Sequence, residues 1–77
     1  MNRLTTAQKD YLRGLMRRLE LPSDVITTLH QRAFVEAGIW DARAFGYRIG
    51  QRVDAVLDEL DVGQASALIK AMKAKAE

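Results

Sequence analysis

The chain has no cysteine, one proline, one histidine and only five aromatic residues among its 77 positions. Without cysteine, neither a disulfide nor a thiolate metal site can supplement the core, and the composition fits a reducing cytoplasm. No apolar run approaches the ~18 residues that a membrane span requires, and the opening Met1-Asn2-Arg3-Leu4-Thr5-Thr6 lacks the apolar centre of a signal peptide. A cytoplasmic protein with no membrane contact is therefore expected. A chain this short buries only roughly 60% of its unfolded surface, which points to one domain over residues 1–77 and to modest stability. Scarce proline and glycine beside 48% hydrophobic residues exclude a disordered segment and fit a folded helical protein.

Charge of one sign is also scarce overall, with a formal net charge of +2, but its distribution is uneven. Up to Leu19 the chain carries Arg3, Lys9, Arg13, Arg17 and Arg18 against Asp10 alone. From Val53 to Asp61 it carries Asp54, Asp58, Glu59 and Asp61 with no basic residue. Two readings stand side by side: the two segments attract each other or are merely solvated, or the basic stripe meets an acidic partner.

What is present is helical punctuation. Thr5 with Gln8, and Asp61 with Gln64, each spell a capping box, and Leu60 precedes the second cap where it can staple onto the first turn. Leu12, Leu15, Met16 and Leu19 form an apolar stripe after the first box, and Ala65, Leu68, Ile69 and Met72 form one after the second. A constant offset relates Thr5, Gln8, Leu12 and Met16 to Asp61, Gln64, Leu68 and Met72, an echo that the generic capping rule explains better than duplication does.

The spacing predicts a first helix from Thr6 to Glu20, stopped by Leu21-Pro22. A second starts at Pro22 or Ser23 with Ile26, Leu29, Ala33 and Ala37 inward, His30 and Phe34 alongside, and Gly38 as its left-handed end. After an irregular stretch from Trp40 to Gly50, the positions Ile49, Val53, Val56, Leu57 and Leu60 predict a third helix from about Tyr47 or Arg48. The fourth follows Asp61. An all-α fold, a compact bundle of about four short helices, is expected.

Catalytic chemistry finds little to work with. His30 has no cysteine with which to build a usual zinc site, and its helical neighbours favour a packing or surface role over general-base work. Ser23 and Ser66 lie at helix starts, without the context of a nucleophile elbow. Asp54 and Asp58, one helical turn apart, are carboxylates of the kind that bind magnesium, but they fall on a solvated face and Asp61 already serves as a cap. Gly46-Tyr47-Arg48-Ile49-Gly50 lacks the lysine and following hydroxyl of a phosphate loop. No catalytic residue, metal site or cofactor is assigned, and the protein is not expected to be an enzyme.

Two surface constellations remain. Lys9, Arg13 and Arg17 recur every four residues along the first helix, a row suited to phosphates or carboxylates. Between Trp40 and Arg52, the aromatics Trp40, Phe45 and Tyr47 interleave with Arg43, Arg48 and Arg52. That alternation suits either a single-strand nucleic-acid surface or a pocket for an acidic peptide with apolar side chains. The opposing reading puts Trp40, Phe45 and Ile49 in the core with the arginines pointing outward.

The order Leu4-Thr5-Thr6-Ala7-Gln8, then Leu12, Leu15, Met16, Leu19 and Leu21, then Ala33-Phe34 before Gly38, and finally Leu60-Asp61-x-x-Gln64-Ala65-Ser66-x-Leu68-Ile69 resembles a family of small helical phage modules. These are the GemA-type regulatory proteins of Mu-like phages and the C-terminal domains of beta-type single-strand annealing recombinases. The likeness covers both ends, about half of the chain, and its least generic part is the Gln64-Ala65-Ser66-x-Leu68-Ile69 run. The aromatic and arginine-rich stretch from Ile39 to Asp58 departs from the family pattern, and Asp61 stands where the family tends to have threonine, which keeps the cap. The resemblance implies a non-catalytic interaction module of phage DNA replication or recombination. Such a module docks an acidic partner, such as the tail of single-stranded DNA-binding protein, with Lys9, Arg13 and Arg17 as the matching positions. Arg43, Arg48 and Arg52, with Trp40, are the second choice. The alternatives are a small nucleic-acid-binding protein and a phage inhibitor of a host enzyme.

Overall fold

Both end helices begin where their capping boxes place them. In the computed structural model, which describes residues 2–76, α1 (Thr6–Arg18) starts after Thr5, whose hydroxyl accepts the Gln8 N–H while the Gln8 side chain accepts the Thr5 N–H, both at 3.0 Å. Asp61 and Gln64 repeat the exchange at 2.7 and 3.1 Å ahead of α5 (Val62–Ala76). The chain segments leading into these helices are joined by an antiparallel bridge, with the Leu4 N–H on the Leu60 carbonyl and the Val62 N–H on that of Asn2, both at 3.0 Å. The two helices therefore start side by side and make the largest helix–helix contact of the fold. Leu12, Leu15, Met16, Ala65, Leu68 and Met72 are all 2% exposed or less. Burying a leucine or methionine of this kind contributes roughly 1.5–3 kcal/mol.

The first helix stops two residues before the expected Glu20. Glu20 lies in the left-handed region at φ 59°, the Leu21 N–H reaches the Met16 carbonyl at 2.8 Å and the Glu20 N–H that of Arg17 at 3.1 Å. This is a Schellman ending with glutamate where glycine is usual. The same ending closes α2 (Thr28–Glu36), where Gly38 takes φ 73° and the Ile39 N–H reaches Phe34, as the sequence predicts.

The second helix starts later than Pro22 or Ser23, because residues 24–26 run extended against residues 50–53. The Ile26 N–H bonds the Gln51 carbonyl, the Gly50 N–H that of Ile26 and the Val53 N–H that of Asp24, each at 2.8 Å. Thr27 then caps α2, and its own N–H is taken at 3.0 Å by Nδ1 of His30. Histidine thus fills the third-residue place that glutamate or glutamine occupies in the usual box. Ile26 is buried but precedes the helix, and Leu29, expected inward, is 62% exposed, while His30, Ala33 and Phe34 form the inner face.

The third helix, expected from about Tyr47 or Arg48, starts only at Val53, and the stretch read as irregular holds a helical turn of its own. Asp41 caps the one-turn α3 (Ala42–Gly46) through the Ala44 N–H at 2.7 Å. A turn over residues 47–51 then reaches Gly50 at φ 91°, a conformation open to glycine, and α4 (Val53–Leu57) follows. Ile49 consequently lies 41% exposed in the turn, whereas Val53, Val56, Leu57 and Leu60 fill the core. The architecture is all-α, with three longer helices and two single turns among the described residues, and no helix is long and apolar enough to cross a membrane.

Candidate functional site

The cationic row of α1 lies beside the acidic face of α4. Lys9 Nζ is 2.9 Å from an Asp58 carboxylate oxygen and 4.0 Å from one of Asp54, and Arg13 Nη1 is 2.9 Å from Asp54. Arg3 adds a hydrogen bond to the Asp58 carbonyl. The basic and acidic segments noted in the sequence thus attract each other within the fold. Surface pairs of this type are individually weak, each contributing below about 1 kcal/mol, but together they commit Lys9 and Arg13 to holding α4 on α1. Arg17, the third member of the row, is exposed and enters no ion pair among the described residues.

Most of the aromatic and arginine segment is turned to packing. Trp40 stacks on Phe34, with centroids 5.4 Å apart and planes 10° from parallel, and Phe34 also meets Phe45 at 5.2 Å. The Arg48 guanidinium carbon lies 3.9 Å over the Trp40 ring, donates through Nη1 to the Ala44 carbonyl at 2.8 Å and pairs through Nη2 with Glu59 at 3.2 Å. A guanidinium held on an aromatic ring contributes about 0.5–2 kcal/mol, so Arg48 acts as a clamp between α3, Trp40 and the residues after α4. Arg43 and Arg52 remain exposed, and Tyr47 is 72% exposed.

The structure also contains a groove that the sequence reading missed. Leu19 and Leu21 from the end of α1, Leu29 and Ala33 from α2, and the side chains of Arg32 and Lys75 line a depression of about 230 Å³. Leu29 is the most exposed aliphatic side chain in it. Glu36 sits beside this rim, 3.1 Å from Arg32 Nε and 3.2 Å from Lys75 Nζ. The Lys75 hydrogen bond holds the Glu36 carboxyl below its ordinary value against the opposing effect of desolvation, and Arg32 adds to the lowering. One carboxylate shared by two cations leaves the rim net positive. The readable signal was the Thr27-x-x-His30 spacing: with the helix started at Thr28, Leu29 falls in the first turn on the outer face instead of in the core.

His30 is fully buried and both ring nitrogens are used. Because Nδ1 accepts the Thr27 N–H, Nε2 carries the proton and donates to the Pro22 carbonyl at 2.8 Å. The ring thereby ties the extended segment to the start of α2, with neither nitrogen left for a substrate. Among the described residues, no group of three or more histidine or acidic side chains is placed to hold a metal ion. Comparison with protein-family models, with curated proteins and with solved structures returned no match.

Proposed function

We propose that the chain is a non-catalytic docking module for an acidic partner, the role its resemblance to phage replication and recombination modules implies, with an acidic tail such as that of single-stranded DNA-binding protein as the type of ligand. One observation carries the reading: an aliphatic groove presents a 62% exposed leucine between Arg32 and Lys75. Such a groove takes an apolar side chain while its rim cations hold flanking carboxylates. With Lys9 and Arg13 engaged by Asp54 and Asp58, this groove rather than the α1 row is the place for the ligand.

Titration of a short acidic peptide ending in an apolar residue tests the proposal by calorimetry at low salt. Binding is expected to weaken at least about tenfold in Leu29→Glu, an exposed change that leaves the core intact. Glu36→Gln, which releases Arg32 and Lys75, is expected to strengthen it. No heat of binding, or binding unchanged by Leu29→Glu, would defeat the proposal.

Direct nucleic-acid binding is the second reading, favoured by the exposure of the Tyr47 ring and of Arg43 and Arg52 in the same stretch of chain. It requires oligonucleotide affinity that falls steeply with salt and is lost in Tyr47→Ala.

A further inference from the structure

Gly14 lies in the middle of α1, where glycine is the poorest helix former apart from proline. Nothing in the fold asks for it: its φ is not positive, and a Cβ built there meets no atom within 4 Å. It forms the floor of a shallow depression of about 280 Å³ whose walls are Tyr11, Leu15 and Arg18. Tyr11 is 44% exposed, and Asp10, Arg17 and Arg18 are exposed and enter no ion pair among the described residues. A glycine that the molecule does not need internally marks a place where another backbone approaches from outside.

The distribution of charge around Gly14 identifies that backbone. With about 100° per residue, Gly14 is central in the outward arc, Asp10 and Arg17 fall on one side of it, and Tyr11 and Arg18 fall on the other. At about 1.5 Å rise per residue, Asp10 lies about 6 Å before Gly14 and Arg17 about 4.5 Å after it, while Tyr11 and Arg18 lie about 4.5 Å before and 6 Å after. A two-fold axis through Gly14, perpendicular to the helix, keeps each side on its own side and reverses the direction of the chain. It therefore brings Asp10 of one copy against Arg17 of the other, and Tyr11 against Arg18, each contact made twice. A parallel two-fold would instead exchange the two sides at constant height, setting Arg17 against Arg18 and Asp10 against Tyr11, so that cation meets cation. We infer that this face of α1 binds a second copy of the chain, antiparallel, with the two Gly14 residues at the crossing. The interface is isologous: acid meets base, aromatic meets guanidinium, and the missing side chain lets the helix backbones close. It uses none of the residues lining the leucine groove, so its failure leaves the docking proposal standing and the reverse also holds.

Sedimentation equilibrium of the full chain, followed to about 1 mM, tests the inference. The chain is expected to form a dimer in a concentration-dependent way. Gly14→Leu is expected to abolish dimerisation while leaving the melting temperature of the dilute protein unchanged or higher, since the added side chain meets open space and improves the helix. Asp10→Arg and Arg17→Asp, each acting on both sides of the axis, are expected to weaken association about tenfold apiece, and the double variant to restore it. A chain that stays monomeric to that concentration overturns the inference. So does a dimer insensitive to Gly14→Leu, or a double variant no better than the single ones.

Discussion

Helices α1 and α5 are set by residues within three positions of their own starts, whereas the stretch from Leu21 to Leu60 also needs partners beyond that reach, some of them far along the chain. At the ends, Thr5 with Gln8 and Asp61 with Gln64 close local boxes, and the stripes behind them simply meet. In the middle, residues 24–26 are held extended by residues 50–53, Trp40 is clamped between Phe34 and Arg48, and His30 ties Pro22 to Thr27. Local chemistry is enough to form a helix, but not to decide where a helix is interrupted so that another segment can pair with it. The groove and its exposed Leu29 arise from that interruption, so the candidate site belongs to the tertiary half of the molecule.

The largest break in this comparison is expected from Phe34→Ala. It removes the ring on which both Trp40 and Phe45 rest, at a cost of about 3–5 kcal/mol, a large fraction of the total stability of so small a domain. Chemical denaturation followed through Trp40 fluorescence should show a chain unfolded or nearly so.

Next in size is His30→Ala, which strands the Thr27 N–H and the Pro22 carbonyl and is expected to cost about 2–4 kcal/mol. His30→Gln, which can still accept from Thr27 in the ordinary box geometry, should recover part of that loss. An alanine variant as stable as the parent would mean that the middle of the chain is not held by this ring.

A change of opposite sign belongs to the end of α1. Glu20→Gly places a glycine at φ 59° and is expected to raise stability by about 1 kcal/mol, read as a higher midpoint in denaturant. It sharpens the comparison because it repairs a point at which the ending of α1 departs from local preference.

The smallest effect concerns pH. The Glu36 carboxyl is lowered in the folded protein from an ordinary value of 4.5, chiefly by its Lys75 hydrogen bond. Its contribution to stability is therefore complete above that ordinary value and is lost as pH falls below it through the lowered one. Because the group is exposed to solvent, a small drop in melting temperature over that interval is expected, absent in Glu36→Gln.

How much was legible follows the same division. The all-α class, both end helices, the Gly38 ending and most of the core positions are written in capping residues and apolar spacing, which act within one or two turns. The late start of α2 was hidden because histidine replaces the usual box partner, and the late start of the third expected helix because Gly50 at positive φ reads in sequence as an isolated glycine. The cationic row was legible as a row, and its attraction to the acidic segment was one of two readings; the choice between them depends on where Asp54 and Asp58 come to lie in the fold, which no local pattern encodes. Trp40 and Arg48, adjacent in the reading as ring and cation, are adjacent in space as well, stacked on each other instead of facing a ligand.

The most direct test is a map of backbone amide shifts as an acidic, apolar-ended peptide is titrated into the isotope-labelled chain. Shifts concentrated at Leu21, Leu29, Arg32, Ala33 and Lys75, with Lys9 and Arg13 undisturbed, are the predicted result. Shifts centred on Lys9 and Arg13, which the fold has already engaged, or spread along the exposed Arg43, Tyr47 and Arg52, would contradict it.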